Sequence, residues 1–161
     1  MAEGLSRIEE VYVPYHRLLR RTIDTTRQTF GFSVLIDCHS MPSTTRTAHF
    51  RGRPDFVLGD RHGSSCSSLL TSAIEGTLAG LGYDVSRNRP YAGGFITEHY
   101  GRPKEGAHAI QIEINRSLYL NERTLEKNRN FARLRADLSS LIGSLVGVCS
   151  NIADNRRDAA E

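Results

Sequence analysis

The clearest alternation of hydrophobic and polar positions in this chain lies between residues 110 and 115. Isoleucine occupies every second position and polar residues lie between: Ile110, Gln111, Ile112, Glu113, Ile114 and Asn115. Neighbouring side chains of a β-strand point to opposite faces of the sheet. The pattern therefore predicts a strand with one apolar face and one polar face.

Shorter patterns predict the other elements. Apolar runs bounded by turn residues predict strands at about 33–38, 55–58 and 83–88. Apolar residues at helical spacing predict helices at about 5–12, 14–29, 65–81 and 131–152. The helix at 14–29 and the residue after it carry apolar side chains on one side: Leu18, Leu19, Ile23 and Phe30.

Helices that alternate with buried strands favour an α/β fold with a mostly parallel sheet. The length of 161 residues is enough for one hydrophobic core. We expect a single domain over residues 1–152 and a disordered tail over 153–161. Two polar segments, 43–54 and 89–107, are predicted loops, and the second is rich in glycine and proline, as loops near functional sites often are.

The segment 36–42, Ile-Asp-Cys-His-Ser-Met-Pro, places polar residues at the end of a predicted buried strand. Asp37 and His39 lie where the strand would emerge, and ligands of open α/β sheets bind at that edge. A neutral imidazole with a carboxylate two residues away suits a metal ion or proton transfer. A polar strand end with a solvated histidine explains the same residues, because a single histidine is weak support for a metal site.

Glu113 is the second candidate, because it lies in the middle of the isoleucine-rich strand. A buried carboxylate without a partner is costly. It either pairs with Arg116 or another arginine, or faces solvent, or acts as a general base that passes a proton to a leaving group. Structural ion pairs are common, so the pattern alone favours the structural interpretations over the catalytic one.

The other histidines and the cysteines give weaker signals. No histidine lies at a short ligand spacing from another, and we interpret these as ordinary polar side chains: His16, His49, His62, His99 and His108. The three cysteines form no CxxC pair, which argues against a disulfide framework or a zinc–cysteine site. Cys38 follows Asp37 in the strand and is expected to be a buried thiol behind the site.

Charge and hydropathy exclude several classes of protein. The formal net charge is +3, and the basic residues, mostly arginine, are scattered rather than interleaved with aromatic residues. Nucleic-acid binding is therefore not expected. No apolar run approaches the length of about 20 residues that a membrane span requires, and the first residues lack the pattern of a signal peptide. We expect a cytoplasmic protein.

Taken together, several long segments resemble the N-formylglutamate amidohydrolase (formylglutamate deformylase) family. They are IDCHSMPS at 36–43, RPDFVLGDRHGSSC at 53–66, YAGGFITEHYGRP at 91–103, HAIQIEINRSLYLNE at 108–122 and FARLRADL at 131–138. The resemblance spans about residues 6–146. It implies a three-layer αβα sandwich similar to that of the zinc carboxypeptidases, and a single catalytic zinc ion.

The implied reaction is hydrolysis of N-formyl-L-glutamate to formate and L-glutamate, a late step of histidine degradation. By the same resemblance, His39 is a zinc ligand, Asp37 is the neighbour that orients it, and Glu113 is the general base and acid. Arg102 and Arg116 border the loop and the strand that lead to Glu113. From position alone, they are candidates to bind the carboxylates of the substrate.

Family members begin upstream of the region that this chain resembles, in a part that carries an HSG segment, an acidic zinc ligand and an arginine. The expectation is an N-terminally incomplete domain that supplies one zinc ligand and the base. The alternative is a truncated, metal-free and non-enzymatic relative of the same fold. An incomplete sheet would also leave an open edge and an apolar face, which predicts a homo-oligomer.

Overall fold

The computed structural model describes residues 2–45 and 53–158, so His49 lies outside the described residues. These residues form five α-helices and four β-strands. In chain order they are α1 (Ala2–Arg7), α2 (Val13–Phe30), β1 (Ser33–Met41), β2 (Phe56–Gly59), α3 (Ser68–Gly80), β3 (Val85–Arg87), α4 (Phe95–Tyr100), β4 (Ala107–Asn115) and α5 (Phe131–Asp158). A π-helical segment, Ile8–Tyr12, joins α1 to α2, and short 3-10 turns lie at Pro103–Glu105 and Arg116–Leu118.

The four strands form one sheet in the order β1-β4-β2-β3. β1 pairs with β4 in parallel, and β2 pairs with β3 in parallel, whereas β4 and β2 are antiparallel. The sheet is therefore mixed, with two of its three pairings parallel. The predicted α/β class is confirmed, while the antiparallel contact in the centre of the sheet was not predicted.

β1 is longer than the apolar run that predicted it. The strand continues to Met41, and its ladder with β4 ends at the pair Met41 and Asn115. Asp37 and His39 therefore lie within the strand rather than beyond its end. The reason is that β4 is also nine residues long, so backbone pairing continues past the point where the side chains of β1 become polar.

The hydrophobic core lies between one face of the sheet and two helices. Ile110 and Ile112 of β4 pack there with Phe56 and Leu58 of β2. α3 and α5 cover these residues with leucine and isoleucine side chains at helical spacing: Leu70, Ile74, Leu78, Leu134, Leu141 and Leu145. The alternation in β4 and the helical spacing of apolar residues in α3 and α5 are thus confirmed, whereas two apolar residues of these helices, Leu69 and Ile142, are exposed.

The opposite face of β4 is polar and is also covered. Gln111, Glu113 and Asn115 are buried there. The segment that leads into α4 packs on this face, where the backbone N–H of Gly94 donates to the side chain of Gln111. Helices therefore contact the sheet from both sides. α4 lies inside the predicted loop at 89–107, because its flanking glycines and six-residue length hide the helical periodicity.

α2 differs from its prediction, because it contains no buried residue. Leu18 is 66% exposed and Phe30 is 62% exposed, although both belong to the predicted apolar side. The helix packs beside β1 and against α4, which leaves Leu19 and Ile23 of its apolar side half-buried. Gly31 ends the helix at a φ of 80°, in the left-handed region that glycine adopts readily.

α5 continues to Asp158, six residues beyond its predicted end, through part of the segment predicted to be a tail. Within residues 2–45 and 53–158, no helix combines the length and the apolar character that a membrane crossing requires.

Candidate catalytic site

The register between β1 and β4 brings the predicted site residues together. Asp37 is paired with Gln111, and His39 is paired with Glu113. Because the strands are adjacent and parallel, these four side chains lie on one face of the sheet. This is the polar face, opposite the hydrophobic core.

The imidazole of His39 lies between two carboxylates. Its Nε2 is 3.1 Å from Oδ2 of Asp37, and its Nδ1 is 3.8 Å from Oε1 of Glu113. Both distances are within the range of an ion pair, and the shorter one joins His39 to Asp37. Asp37 thus lies beside Nε2 of the ring, while Nδ1 faces the general-base candidate.

A second polar side chain holds Glu113. Nε2 of Gln111 donates to Oε1 of Glu113 at 2.7 Å, and Oε1 of Gln111 accepts from the backbone N–H of Gly94 at 2.8 Å. The backbone N–H of Gly94 can only donate, so the side-chain oxygen of Gln111 must face it. The NH₂ group of Gln111 then faces Glu113. The alternation of residues 110–115 predicts that Gln111 lies on the polar face, but it contains no signal for this hydrogen-bonding function.

Two glycines allow the loop before α4 to approach the sheet. A Cβ atom on Gly59 of β2 would lie 2.6 Å from the backbone nitrogen of Gly93. Gly93 itself has a φ of 107°. The absence of side chains at both positions lets the loop backbone pack directly on the strand, and this places Gly94 within reach of Gln111.

The site is closed at Glu113 and open at His39. The side chain of Glu113 is 8% exposed and that of Asp37 is 19% exposed, whereas that of His39 is 47% exposed. Glu113 is thus held in a buried position by a donor. Its contacts among the described residues are with Gln111 and His39, not with Arg116 or another arginine, which was one of the alternatives. This arrangement suits proton transfer beside a half-exposed imidazole.

These residues fit one ligand position of a zinc ion. A metal-binding histidine commonly donates one ring nitrogen to a carboxylate and binds the metal through the other, as the pair of His39 and Asp37 would. Catalytic zinc needs three protein ligands. In the part of the chain that the structure describes, no group of three or more histidine, cysteine, aspartate or glutamate side chains is placed to hold a metal ion. Alone, these residues do not fit a complete zinc site.

The structure separates the two arginine candidates. Arg116 follows β4 directly, and its guanidinium lies 3.4 Å from both Oγ and the carbonyl oxygen of Ser40, the residue after His39. Arg102 lies at the opposite end of β4, in a bridge with Ala107, and its guanidinium donates to backbone carbonyls. Of the two, only Arg116 lies at the end of β4 that carries Glu113, and its contacts there are with Ser40.

Cys38 points away from Asp37 and His39, as the alternation of a strand requires, but it is exposed rather than buried. The prediction of a buried thiol is wrong, because among the described residues neither α2 nor α5 covers β1 at this position. Partial desolvation, and then the negative charge of Asp37, raise the pKa of the Cys38 thiol.

The remaining histidines lie in other surroundings. His108 is buried, and its ring accepts from the backbone of Ser67. His16 contacts the hydroxyl of Tyr100, and His99 contacts Arg20, so both histidines join α2 to α4.

Comparison with known proteins identifies related chains. The family model for N-formylglutamate amidohydrolase matches residues 1–120. An N-formylglutamate deformylase of Pseudomonas putida is 39% identical over 116 residues, which are 71% of this chain and 43% of that enzyme. An enzyme of the same name from Pseudomonas aeruginosa is 37% identical over 123 residues, or 74% and 46% of the two chains. The chain thus spans about half the length of these relatives.

Solved structures agree with this relationship. The crystal structure of N-formylglutamate amidohydrolase from Ralstonia eutropha matches with a TM-score of 0.81 and 37% identity, over 98% of this chain and 55% of that chain. A gene product of Agrobacterium tumefaciens matches with a TM-score of 0.63 and 26% identity, over 91% and 54% of the two chains. The similarity to zinc carboxypeptidases stays a prediction. On the family match and on both curated relatives, the chain belongs to the N-formylglutamate amidohydrolase family.

Proposed function

We propose that this chain carries the general base and one metal ligand of a zinc-dependent amidohydrolase that converts N-formyl-L-glutamate into formate and L-glutamate. The observation that carries the proposal is the placement of Asp37, His39 and Glu113 on one face of adjacent strands. The names of the Pseudomonas relatives support the substrate. A cytoplasmic role in histidine degradation is part of the same proposal.

In this proposal His39 is a zinc ligand and Asp37 orients its ring through the 3.1 Å contact at Nε2. The further ligands would come from outside the residues described. Bound zinc would supply an activated water molecule and polarise the formyl carbonyl. The 47% exposure of the His39 side chain leaves room for these additional groups.

Glu113 would move the proton. Its Oε1 accepts from Gln111, and no described residue donates to Oε2, so that oxygen is available to a water molecule. The carboxylate would take a proton from the attacking water and deliver it to the nitrogen of the departing glutamate. Because Glu113 is buried and held by Gln111, little reorientation is needed before the transfer.

Arg116 would bind a carboxylate of the substrate. Its contacts with Ser40 at 3.4 Å are long, so the guanidinium retains donors for a bidentate carboxylate. Arg102 stays outside this assignment because its guanidinium donates to the carbonyls of Glu98 and Gly101 at the other end of β4.

The test compares the wild-type chain with His39→Ala and Glu113→Gln, each purified without a tag and supplied with zinc. We expect His39→Ala to lose bound zinc, and Glu113→Gln to retain zinc but release formate about 10²- to 10⁴-fold more slowly, the usual effect of losing a general base. Zinc per chain and formate release are measured on the same samples, alone and with the unmatched segment of the Pseudomonas putida enzyme co-expressed.

The glutamine variant is the matched control, because it preserves the size of Glu113 and its contact with His39 while removing the proton acceptor. Absence of both zinc and formate release from the wild-type chain in every preparation would overturn the proposal. That outcome would favour the metal-free, non-enzymatic relative.

A further inference from the structure

β1 has a free edge in the part of the chain that the structure describes. It pairs only with β4, so the backbone N–H and C=O groups on its other side have no strand partner within residues 2–45 and 53–158. The strand is nine residues long and contains no proline. Long open edges of this kind are templates for pairing with a further strand.

An apolar groove of about 480 Å³ lies beside this edge, between the end of α2 and α5. Val34 and Ile36 of β1 line it on the core side of the sheet. The outer rim consists of apolar side chains that are largely exposed, namely Phe30 at 62%, Ile142 at 58% and Val146 at 62%. A strand paired with β1 would direct every second side chain into this groove.

Large apolar side chains also meet solvent on α1, α2 and the outer face of α5. They include Leu5, Leu18, Ile142 and Val146, which are 58–66% exposed. Exposed apolar patches of this kind commonly mark interaction sites.

We propose that the free edge of β1 and the adjacent groove are the docking surface for a β-strand from the half of the family fold that this chain does not match. The Ralstonia structure supports this occupant, because 98% of this chain superposes on only 55% of that chain with a TM-score of 0.81. A substantial remainder of that fold must therefore be packed around the same framework. An apolar groove and an open strand edge are the surfaces that such a remainder requires.

Docking would also affect the candidate catalytic site. Asp37 and His39 point to the face of β1 opposite the groove residues Val34 and Ile36, at alternate positions of the same strand. Side chains on the corresponding face of a docked strand would lie about 5 Å from those of β1. The strand would thus bring new groups beside the half-exposed His39. Only this last step rests on the proposed function.

A second copy of the chain is the competing occupant, and it corresponds to the homo-oligomer predicted from the sequence. Two copies that meet at β1 would each cover the free edge of the other. That pairing would not explain why relatives with one continuous chain extend so far beyond the matched region. The observations therefore favour the unmatched half of the family fold.

The experiment co-expresses this chain, carrying an affinity tag, with the larger segment of the Pseudomonas putida enzyme outside its matched 116 residues. We expect a one-to-one complex in light scattering and slower amide hydrogen exchange across β1 in the complex. The double variant Ile142→Asp and Val146→Asp changes only exposed positions on α5, so its helical content should be unchanged. It should weaken the complex at least tenfold, since charges would replace two apolar contacts.

The matched control is the double variant Leu69→Asp and Leu125→Asp, which introduces the same charges at positions 59% and 77% exposed and outside the groove. It should bind as the wild type does. Failure of the segment to co-purify, or equal weakening by both double variants, would overturn the proposal. A dimer of the chain alone that only the groove variant dissociates would assign the surface to a second copy and also overturn it. These outcomes use neither zinc nor activity, so they are independent of the test of function.

Discussion

Among single residues, Gly59 and Gln111 position the site most directly. Gly59 allows the loop before α4 to lie on β2, and Gln111 connects that loop to Glu113 through two hydrogen bonds. The orientation of a proposed general base therefore depends on a glycine in a neighbouring strand.

The substitution Gly59→Ala tests this dependence. Its Cβ would lie 2.6 Å from the nitrogen of Gly93, and the obstacle is backbone rather than a flexible side chain. We expect a loss of about 1–3 kcal/mol in the free energy of unfolding, as for other overpacked sites. Urea denaturation measures the change.

The control is Gly76→Ala on the exposed side of α3, where an added Cβ meets nothing within 4 Å. It should stabilise the protein by about 0.5–1 kcal/mol, because alanine favours the helix over glycine. Equal effects of the two substitutions would show that the loop does not pack on Gly59 in solution.

At the scale of elements, the contact between α2 and α4 consists of rings and hydrogen bonds. His16 stacks on Tyr100 and bonds its hydroxyl. Arg20 contacts Nε2 of His99 at 2.7 Å, and Phe95 packs edge-on against His16. Arginine can only donate, so the contact with Arg20 requires a neutral His99. Since α2 buries no residue, this cluster is a principal attachment of the helix.

Acid should therefore loosen α2. Desolvation, and then the positive charges of Arg20, His16 and Arg102, lower the pKa of His99. A histidine whose pKa is lowered in the folded state contributes stability above its ordinary pKa of about 6.5, and this contribution is lost as the pH falls from there through the lowered value. Amide hydrogen exchange in α2, corrected for the intrinsic effect of pH, should be less protected at pH 5.5 than at pH 7.5.

The variant His99→Gln should remove most of this pH dependence. The control variant His62→Gln should preserve it, because the hydrogen bond of His62 to Asn88 uses the backbone N–H and not the imidazole. A pH response of equal size in both variants would assign the effect to another group.

The strands of the sheet show which features the sequence could predict. Alternation placed Ile110 and Glu113 on opposite faces of β4, because side-chain direction follows from position alone. Alternation does not encode the direction of the neighbouring strand, so the antiparallel contact of β4 with β2 remained hidden. His39 and Glu113 were named from the sequence and the family resemblance, but their proximity depends on a register that no local pattern contains.

At the scale of the whole molecule, packing is unevenly distributed. The core between the sheet and the helices α3 and α5 contains fully buried side chains such as Phe56, Leu70 and Ile74. Residues 3–30, which include most of α1 and all of α2, contain no buried residue. Local opening should therefore begin in α1 and α2, while the sheet and its two covering helices unfold together.

The three cysteines lie in different parts of this uneven structure. Cys66 is fully buried, and burial raises its pKa to about 11, whereas Cys38 is exposed on β1 and Cys149 lines the apolar groove. Alkylation of the native protein should modify Cys38 first and leave Cys66 unmodified until the core unfolds, as mass spectrometry of timed samples would show. Early modification of Cys66 would contradict the packing described.

The reactivity of these three cysteines can report whether a further strand is paired with β1. A strand laid against β1 would shield Cys38 and Cys149 from a reagent at the same moment, while Cys66 would serve as an internal standard for unfolding. The rate of alkylation of Cys38 and Cys149 would then measure the fraction of molecules in which the edge of β1 is covered. The protein needs no label, so the measurement would work in a cell extract as well as in a purified sample.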